Sequence, residues 1–365
     1  FLTFSGAGPF FIDLAMSLAG SKRGGPAKVA VISSALFGTV SGNSVANVVA
    51  TGAFTIPLMK SVGYKPKFAA AVEATASSGG QIMPPILGSA AFIMAELIGA
   101  PYSEIMLASI IPALLYFFTV FLMVDIEAAK NNLTGVAKEE LPKRKYVLQN
   151  LYMLLPLVVL TIVMTVLNQS AIRAASWGIL SCIIVYIIKN RKFSLKEILD
   201  AMADGAKSAC GMICACGTAG IVVGVLNMTG AGIKFASFVV EVANGHLLVA
   251  LILTMIASLI LGMGLPTSAS YIICAAVAAP ALIDMGLTAI QAHMFVFYFA
   301  CISAITPPVC VAVFMASGLA KSDWFKTGCI SCMVALPIFI IPYTFCYNPA
   351  LLLEGGLVQI VIATA

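Results

Sequence analysis

Two double prolines constrain this chain more than any other feature. Pro84-Pro85 follows Met83 and Pro307-Pro308 follows Thr306, and both pairs sit inside long apolar stretches. Proline removes a backbone donor and clashes with the preceding helical turn, so each pair breaks a helix. The pairs lie 223 positions apart, and at the same separation Pro57, Gly63 and Ile82 fall on Pro280, Gly286 and Ile305. Upstream, residues 5–8 match 229–232 and Gly38 matches Gly262 at a separation of 224; downstream, residues 99–104 parallel 318–323 at 219. The chain reads as two diverged copies of a unit of roughly 120 residues.

Composition says where those copies sit. Hydrophobic residues make up 61% and charged ones 10%, whereas a soluble domain carries about 25% charged residues. The expectation is an all-α integral membrane protein. Segments 147–167, 174–188 and 327–342 approach the roughly 20 residues of a bilayer crossing, and strand-like alternation that would indicate a barrel is absent. The 10 cysteines are scattered through apolar segments. Cys214-x-Cys216 and Cys329-x-x-Cys332 have no His or acidic partner at ligand spacing, so they read as small core residues. The net charge of +5 comes mainly from loop lysines and gives no reason to invoke nucleic acid. No nucleophile sits beside a base, and no Gly-Lys-Ser phosphate loop occurs, which argues against an enzyme and against direct use of ATP. Phe1 begins inside an apolar run, without an initiator Met or a signal peptide, so the chain reads as a fragment or a processed piece.

Basic residues set the topology. Lys22, Arg23 and Lys28 precede the apolar segment 29–59, and Lys60, Lys65 and Lys67 follow it. With both clusters cytoplasmic, those 31 residues enter and leave on one side. Two full crossings need about 40 residues, so the segment is expected to be a re-entrant hairpin with its tip near 41–44. Residues 68–100 then cross once as a broken helix, and 105–124 return to the basic loop 127–145. Two more crossings return to Lys189, Arg191, Lys192, Lys196 and Lys207. A second hairpin, 247–283 with its tip at 264–268, enters from the other side, and a second broken helix spans 292–320. Of the 20 Lys and Arg, all but Arg173 and Lys234 are then cytoplasmic. The copies become inverted repeats, the plan of a secondary transporter. The division is 1–104 for the first repeat, 105–206 for a scaffold, 207–323 for the second repeat and 324–365 for C-terminal scaffold helices.

Irregular backbone at membrane depth is tolerated where protein or a watery cavity satisfies it. Freed carbonyls and nearby hydroxyls suit a small cation, and half-helix N-termini suit an anion. The candidate oxygens for an ion are Ser41, Asn43 and Ser44 at the first tip with backbone carbonyls around Gly79, Gly80 and Met83 at its break, and Gly264, Thr267 and Ser268 at the second tip with Ser303 and Thr306 at its break. Asn43, Ser44, Thr267 and Ser268 are the candidate substrate contacts. The plainer alternative is that Ser, Thr and Gly only help membrane helices approach; it is preferred for Ser77, Ser78 and Cys301. Glu73 is a deep carboxyl and a candidate proton carrier, or else an interfacial anchor, since it lies six residues beyond Lys67. Its counterpart is Val296, so it belongs to no symmetric cation cage. His293, near a helix end, reads as interfacial. An intramembrane enzyme built on Glu73 would need several acids and bases at one depth, and only one deep acid is present.

The run 38–47 (GTVSGNSVAN), residues 55–64 with Pro57 and Gly63, and 72–85 (VEATASSGGQIMPP) resemble the large membrane subunit of the tripartite ATP-independent periplasmic (TRAP) transporters, with wording most similar to the TAXI branch. The resemblance covers nearly the whole chain. It implies an elevator-type permease of the ion-transporter superfamily kind, multi-pass in a bacterial or archaeal cytoplasmic membrane, importing organic acids on a sodium or proton gradient without other cofactors; the ion-binding positions it implies are Ser41, Asn43, Gly80, Met83 and Pro85 in the first copy and Gly264, Thr267 and Thr306 in the second. Its implied partners are a periplasmic or lipid-anchored substrate-binding protein and a small four-helix membrane subunit, which this chain lacks. The alternatives carried forward are a divalent-anion sodium symporter working without a binding protein, and a nonfunctional fragment of the permease.

Overall fold

The computed structural model describes residues 1, 5–167, 169–191 and 194–354. Lys192 of the basic cluster and the end of the expected scaffold segment, 355–365, lie outside them. The described residues are helical throughout, with no strand among them. Five helices are long and apolar enough to cross a membrane, by length and composition.

The repeat inferred from the prolines is visible as a repeated order of elements. The first copy runs α1 (Ala7–Ala19), α2 (Gly25–Ser41), α3 (Ser44–Ser61), α4 (Pro66–Gly79), a 3-10 turn at Gly80–Ile82, and α5 (Ser89–Ile98). Next come α6 (Tyr102–Ala108), α7 (Ile110–Lys130), α8 (Arg144–Gln149), α9 (Leu155–Thr165), α10 (Ala171–Asn190) and the 35-residue α11 (Leu195–Thr229). The second copy repeats the first: α12 (Ala231–Ala243), α13 (Leu247–Gly262), α14 (Thr267–Asp284), α15 (Ala289–Ile302), a 3-10 turn at Ser303–Ile305, and α16 (Val311–Ala320). The helices α17 (Trp324–Ala335) and α18 (Ile341–Tyr347) follow. The expected boundary between residues 206 and 207 falls inside continuous α11.

The shared residues explain the shared elements. Pro57 and Pro280 lie inside α3 and α14, and Gly63 and Gly286 take positive φ in the turns that follow. Both double prolines contain a cis peptide bond and stand between the halves of a broken helix. Caps supply the remaining punctuation. Asn43 caps α3 by accepting from the Ala46 N–H at 3.0 Å, Thr288 and Gln291 form a capping box on α15, and Asp323 caps α17; each satisfies amides that a helix start leaves open.

Helices α2 and α3 fold back on each other through Gly42 and Asn43, and α13 and α14 do so through residues 263–266. The first hairpin is longer than the 31 residues read from the sequence, because its arms extend through Lys28 and Lys60. Lys28 tolerates its place inside α2 because it pairs with Asp125 of α7 and lies 5.0 Å from the Phe121 ring centre. The two copies interlock: α4 packs on α16 and on α17, while α5 packs on α14 and α15. One large apolar core joins both copies through the fully buried Ile82, Phe295, Phe299 and Ile305.

Candidate functional site

Hairpin tips meet helix breaks through backbone rather than side chains. A Cβ on Gly38 would stand 2.3 Å from the Gly80 Cα, and one on Gly42 would stand 2.3 Å from the Gly88 Cα. Only glycine permits backbones to approach so closely, and Gly42, with φ 53°, also requires the left-handed conformation that glycine adopts freely. The second copy has the same join with a side chain in it. Gly262 corresponds to Gly38, and its absent Cβ faces Ser303 Oγ at 2.6 Å; Ser303 corresponds to Gly80 and donates to the Gly262 carbonyl at 3.1 Å.

Where the two tips come together, a cavity of about 240 Å³ opens. Its polar lining is Asn43 from the first tip, Gln81 and Ser89 from the first break, Thr267 and Ser268 from the second tip, and Ser208 from α11. No charged side chain lines it among the described residues. Three of the four candidate substrate contacts are thus brought together, whereas Ser44, almost fully buried at the start of α3, lies outside the lining. Gln81, Ser89 and Ser208 were missed as site residues. Gln81 stood in plain view within the motif before the first double proline, but Ser208 could only be found once α11 was placed.

The candidate ion positions do not form two tight clusters. Ser41 ends α2, and its enclosed hydroxyl has no hydrogen-bond partner among the described residues; the residue borders a separate, mostly apolar crevice of about 330 Å³ beside Pro156 and Gly178. Gly80 lies against Gly38 and the Asn47 amide. The Met83 carbonyl accepts from the Leu87 N–H at 3.3 Å, and the Pro85 carbonyl accepts from the Tyr102 hydroxyl at 2.9 Å. In the second copy Gly264 packs on Val309, with a Cβ there 3.1 Å from its Cγ1. Thr306 donates to the Ile302 carbonyl at 3.0 Å, and Thr267 instead donates across the repeat to Gln81 Oε1.

Of the two readings of Glu73, candidate proton carrier and interfacial anchor, the second does not fit its burial, because it has no exposure at all. Thr51 and Thr55 of α3 donate to its two carboxyl oxygens, and Ser34 of α2 and Ser77 of α4 donate to Oε1 at 3.2 Å each. Asn47 extends the network: its amide nitrogen donates to the Ser34 carbonyl at 2.9 Å, and its Oδ1 lies 3.2 Å from the Thr51 hydroxyl. Glu73 forms no ion pair among the described residues. Four hydroxyls can solvate either a carboxyl or a carboxylate, so the pocket tolerates a change of protonation that an apolar site would resist. The four-residue spacing of Asn47, Thr51 and Thr55 was the sequence signal for this polar stripe. Ser77 and Ser78, read as packing residues, carry specific bonds, the latter donating to the Cys301 carbonyl at 2.8 Å.

Two further readings change. His293 is only partly exposed and bonds to Tyr271 through Nδ1 at 2.7 Å. Of the cysteines, Cys182, Cys274, Cys301, Cys310 and Cys346 are buried as expected, but Cys210 and Cys214 are exposed on α11. No group of three or more metal-ligating side chains occurs among the described residues.

With this geometry in view, similarity to known proteins is informative. A family model described as "Tripartite ATP-independent periplasmic transporter, DctM component" matches residues 1–360. The chain is 25% identical over 350 residues to the C4-dicarboxylate TRAP transporter large permease protein of Pseudomonas aeruginosa, covering 94% of this chain and 81% of that one. It is 24% identical over 355 residues to a putative TRAP transporter large permease protein of Haemophilus influenzae, covering 94% and 80%. The 2,3-diketo-L-gulonate TRAP transporter large permease protein of Escherichia coli is 24% identical over 316 residues, covering 85% and 72%.

Proposed function

The chain belongs to the DctM-component family of tripartite ATP-independent periplasmic transporters, and from that membership we propose that it is the ion-gradient-driven membrane permease of a binding-protein-dependent importer of organic acids. The observation that carries this reading is the convergence of both hairpin tips and the first helix break on one polar, uncharged cavity. In the proposed mechanism the hairpins are re-entrant, the two repeats are inverted, and the unit holding both hairpins and both helix breaks moves as an elevator against a scaffold. A binding protein delivers the acid, and a small membrane subunit completes the complex. The similarity of residues 72–85 to the TAXI branch supports a TAXI-type permease in this reading.

Asn43, Thr267 and Ser268 hold the substrate, together with open amides at half-helix starts. No Arg or Lys lines the cavity among the described residues, so charge compensation falls to the coupling ion. Glu73 with its four hydroxyl donors favours a proton. Sodium is the second reading, favoured by the Ser41 hydroxyl, which has no hydrogen-bond partner among the described residues; it would use Ser41, Asn43, Gly80, Met83 and Pro85 on one side and Gly264, Thr267 and Thr306 on the other.

The test is uptake of radiolabelled dicarboxylates into proteoliposomes holding the complete complex, under separate sodium and proton gradients. Accumulation that requires both the binding protein and one inward gradient is expected. Equal accumulation without the binding protein would point to the symporter reading. No accumulation under either gradient would overturn the proposal.

A further inference from the structure

Gln81 occupies the turn between α4 and the first double proline, and it is 1% exposed. Its amide is oriented by two partners. The Thr267 hydroxyl of the second tip donates to Oε1, and Nε2 donates to the Ser78 carbonyl at 3.4 Å. A carbonyl can only accept, so the nitrogen must face Ser78 and the oxygen must face Thr267. Nε2 carries two hydrogens, and the contact to Ser78 is long and uses one. The second has no acceptor among the described residues, on a side chain that lines the cavity.

The arrangement is one-sided. At the repeat separation Gln81 corresponds to Ala304, which carries no side-chain donor or acceptor, so the second break has no equivalent hold on the first tip. Asn43 instead spends its Oδ1 on capping its own helix. Tip 2 is therefore tied to the opposite copy's break through a residue of the cavity itself. Tip 2 is also the more open of the two: Gly264, Leu265 and Pro266 are exposed, and the cavity is lined from this tip by Pro266, Thr267 and Ser268.

We propose that Gln81 is a substrate-reading residue of this cavity, and that its bond with Thr267 is the latch holding tip 2 closed over it. The inference rests on the transport reading for its substrate role but not for the latch. The free N–H of Gln81 donates to an oxygen of the bound substrate, while Thr267 keeps the amide turned so that this hydrogen, rather than the amide oxygen, meets an acceptor. Opening of tip 2 breaks the Thr267 contact and releases the amide to rotate, which couples loss of substrate recognition to movement of the tip.

The experiment uses the complete complex with Ser268→Cys as a reporter, in a background carrying Cys210→Ser and Cys214→Ser. The rate of methanethiosulfonate labelling at position 268 is measured without substrate, and uptake of radiolabelled succinate and malate is measured in parallel in complexes that keep Ser268. Gln81→Leu should speed labelling about fivefold, the change in an opening equilibrium expected from loss of one hydrogen bond. It should raise half-saturation about tenfold or more, as loss of a hydrogen bond to a charged group does, with a smaller effect on maximal rate. Thr267→Val breaks the latch from the other side. It should speed labelling to the same extent while raising half-saturation less, because the Gln81 N–H is kept. Unchanged labelling in both variants overturns the latch, and unchanged half-saturation in Gln81→Leu overturns the reading role. If the parent complex accumulates no acid, the transport reading fails, and labelling decides the latch without it.

Discussion

At the scale of single residues, Glu73 and Gln81 divide the chemistry between a buried carboxyl and a buried amide. Glu73 sits in a ring of hydroxyls that persists if the carboxyl is changed. Thr51 and Thr55 also lie within 2.8 and 3.0 Å of the carbonyls one turn back, and Ser34 lies 3.3 Å from Thr51, so these hydroxyls have second partners. Glu73→Gln is nearly isosteric and should therefore fold, with a cost of about 1 kcal/mol or less, since only the charge-assisted part of the bonding is lost. It cannot take up or release a proton. The expected outcome is that accumulation driven by a proton gradient disappears, while exchange of labelled for unlabelled substrate across the membrane continues. Undiminished proton-driven accumulation would remove Glu73 from the coupling step. Glu73→Ala should behave differently, because it leaves a cavity in the core and costs about 2–3 kcal/mol, visible as a lower melting temperature in detergent.

At the scale of elements, the glycine joins decide how tightly a hairpin tip seats in a helix break. In the first copy the obstacle to any side chain at Gly38 is backbone, the Gly80 Cα at 2.3 Å. In the second copy the obstacles at Gly262 are the Ser303 hydroxyl at 2.6 Å, the Ser270 hydroxyl at 2.7 Å and the Ser303 Cβ at 2.9 Å; the hydroxyls can rotate away, and the Cβ is less close than the Gly80 Cα is to Gly38. Gly38→Ala should therefore destabilise more than Gly262→Ala, by about 1–3 kcal/mol for the former as in other overpacked cores. Gly318→Ala, where a Cβ meets nothing within 4 Å, is the control and should melt unchanged or slightly higher. Equal melting temperatures for all three would mean that the joins yield easily. The joins were partly legible in the sequence: Gly38 and Gly262 matched between copies, as did the double prolines. What could not be read was that Gly38 opposes Gly80, because contact between a hairpin and a break follows from packing of α2 on α4, and spacing along the chain carries no record of it.

At the scale of the whole molecule, the order of elements was legible because proline and glycine mark helix ends locally, and local chemistry survives divergence of the copies. The site was legible only in part. Asn43, Thr267 and Ser268 stood out as polar residues at hairpin centres, whereas Ser208 belongs to the cavity solely because α11 passes beside both tips. Ser41 shows the converse: two residues before Asn43, it borders a different crevice, since the end of α2 places it away from the tip's inner side. The resulting cavity is one space closed by two tips, and this has a measurable consequence. Groups that contact a shared ligand are energetically coupled, while distant sites act additively. Asn43→Ala and Ser268→Ala should each raise the half-saturation of uptake about tenfold, as loss of a hydrogen bond to a charged substrate does. The double variant should then fall short of the hundredfold product, because a substrate that has lost one tip is already misplaced for the other. Uptake kinetics of the four proteins in the same reconstituted complex give the coupling directly. A product of effects that multiplies in full would place the two tips on separate sites and break the single-cavity reading, and unchanged kinetics in either single variant would remove that tip from the substrate site.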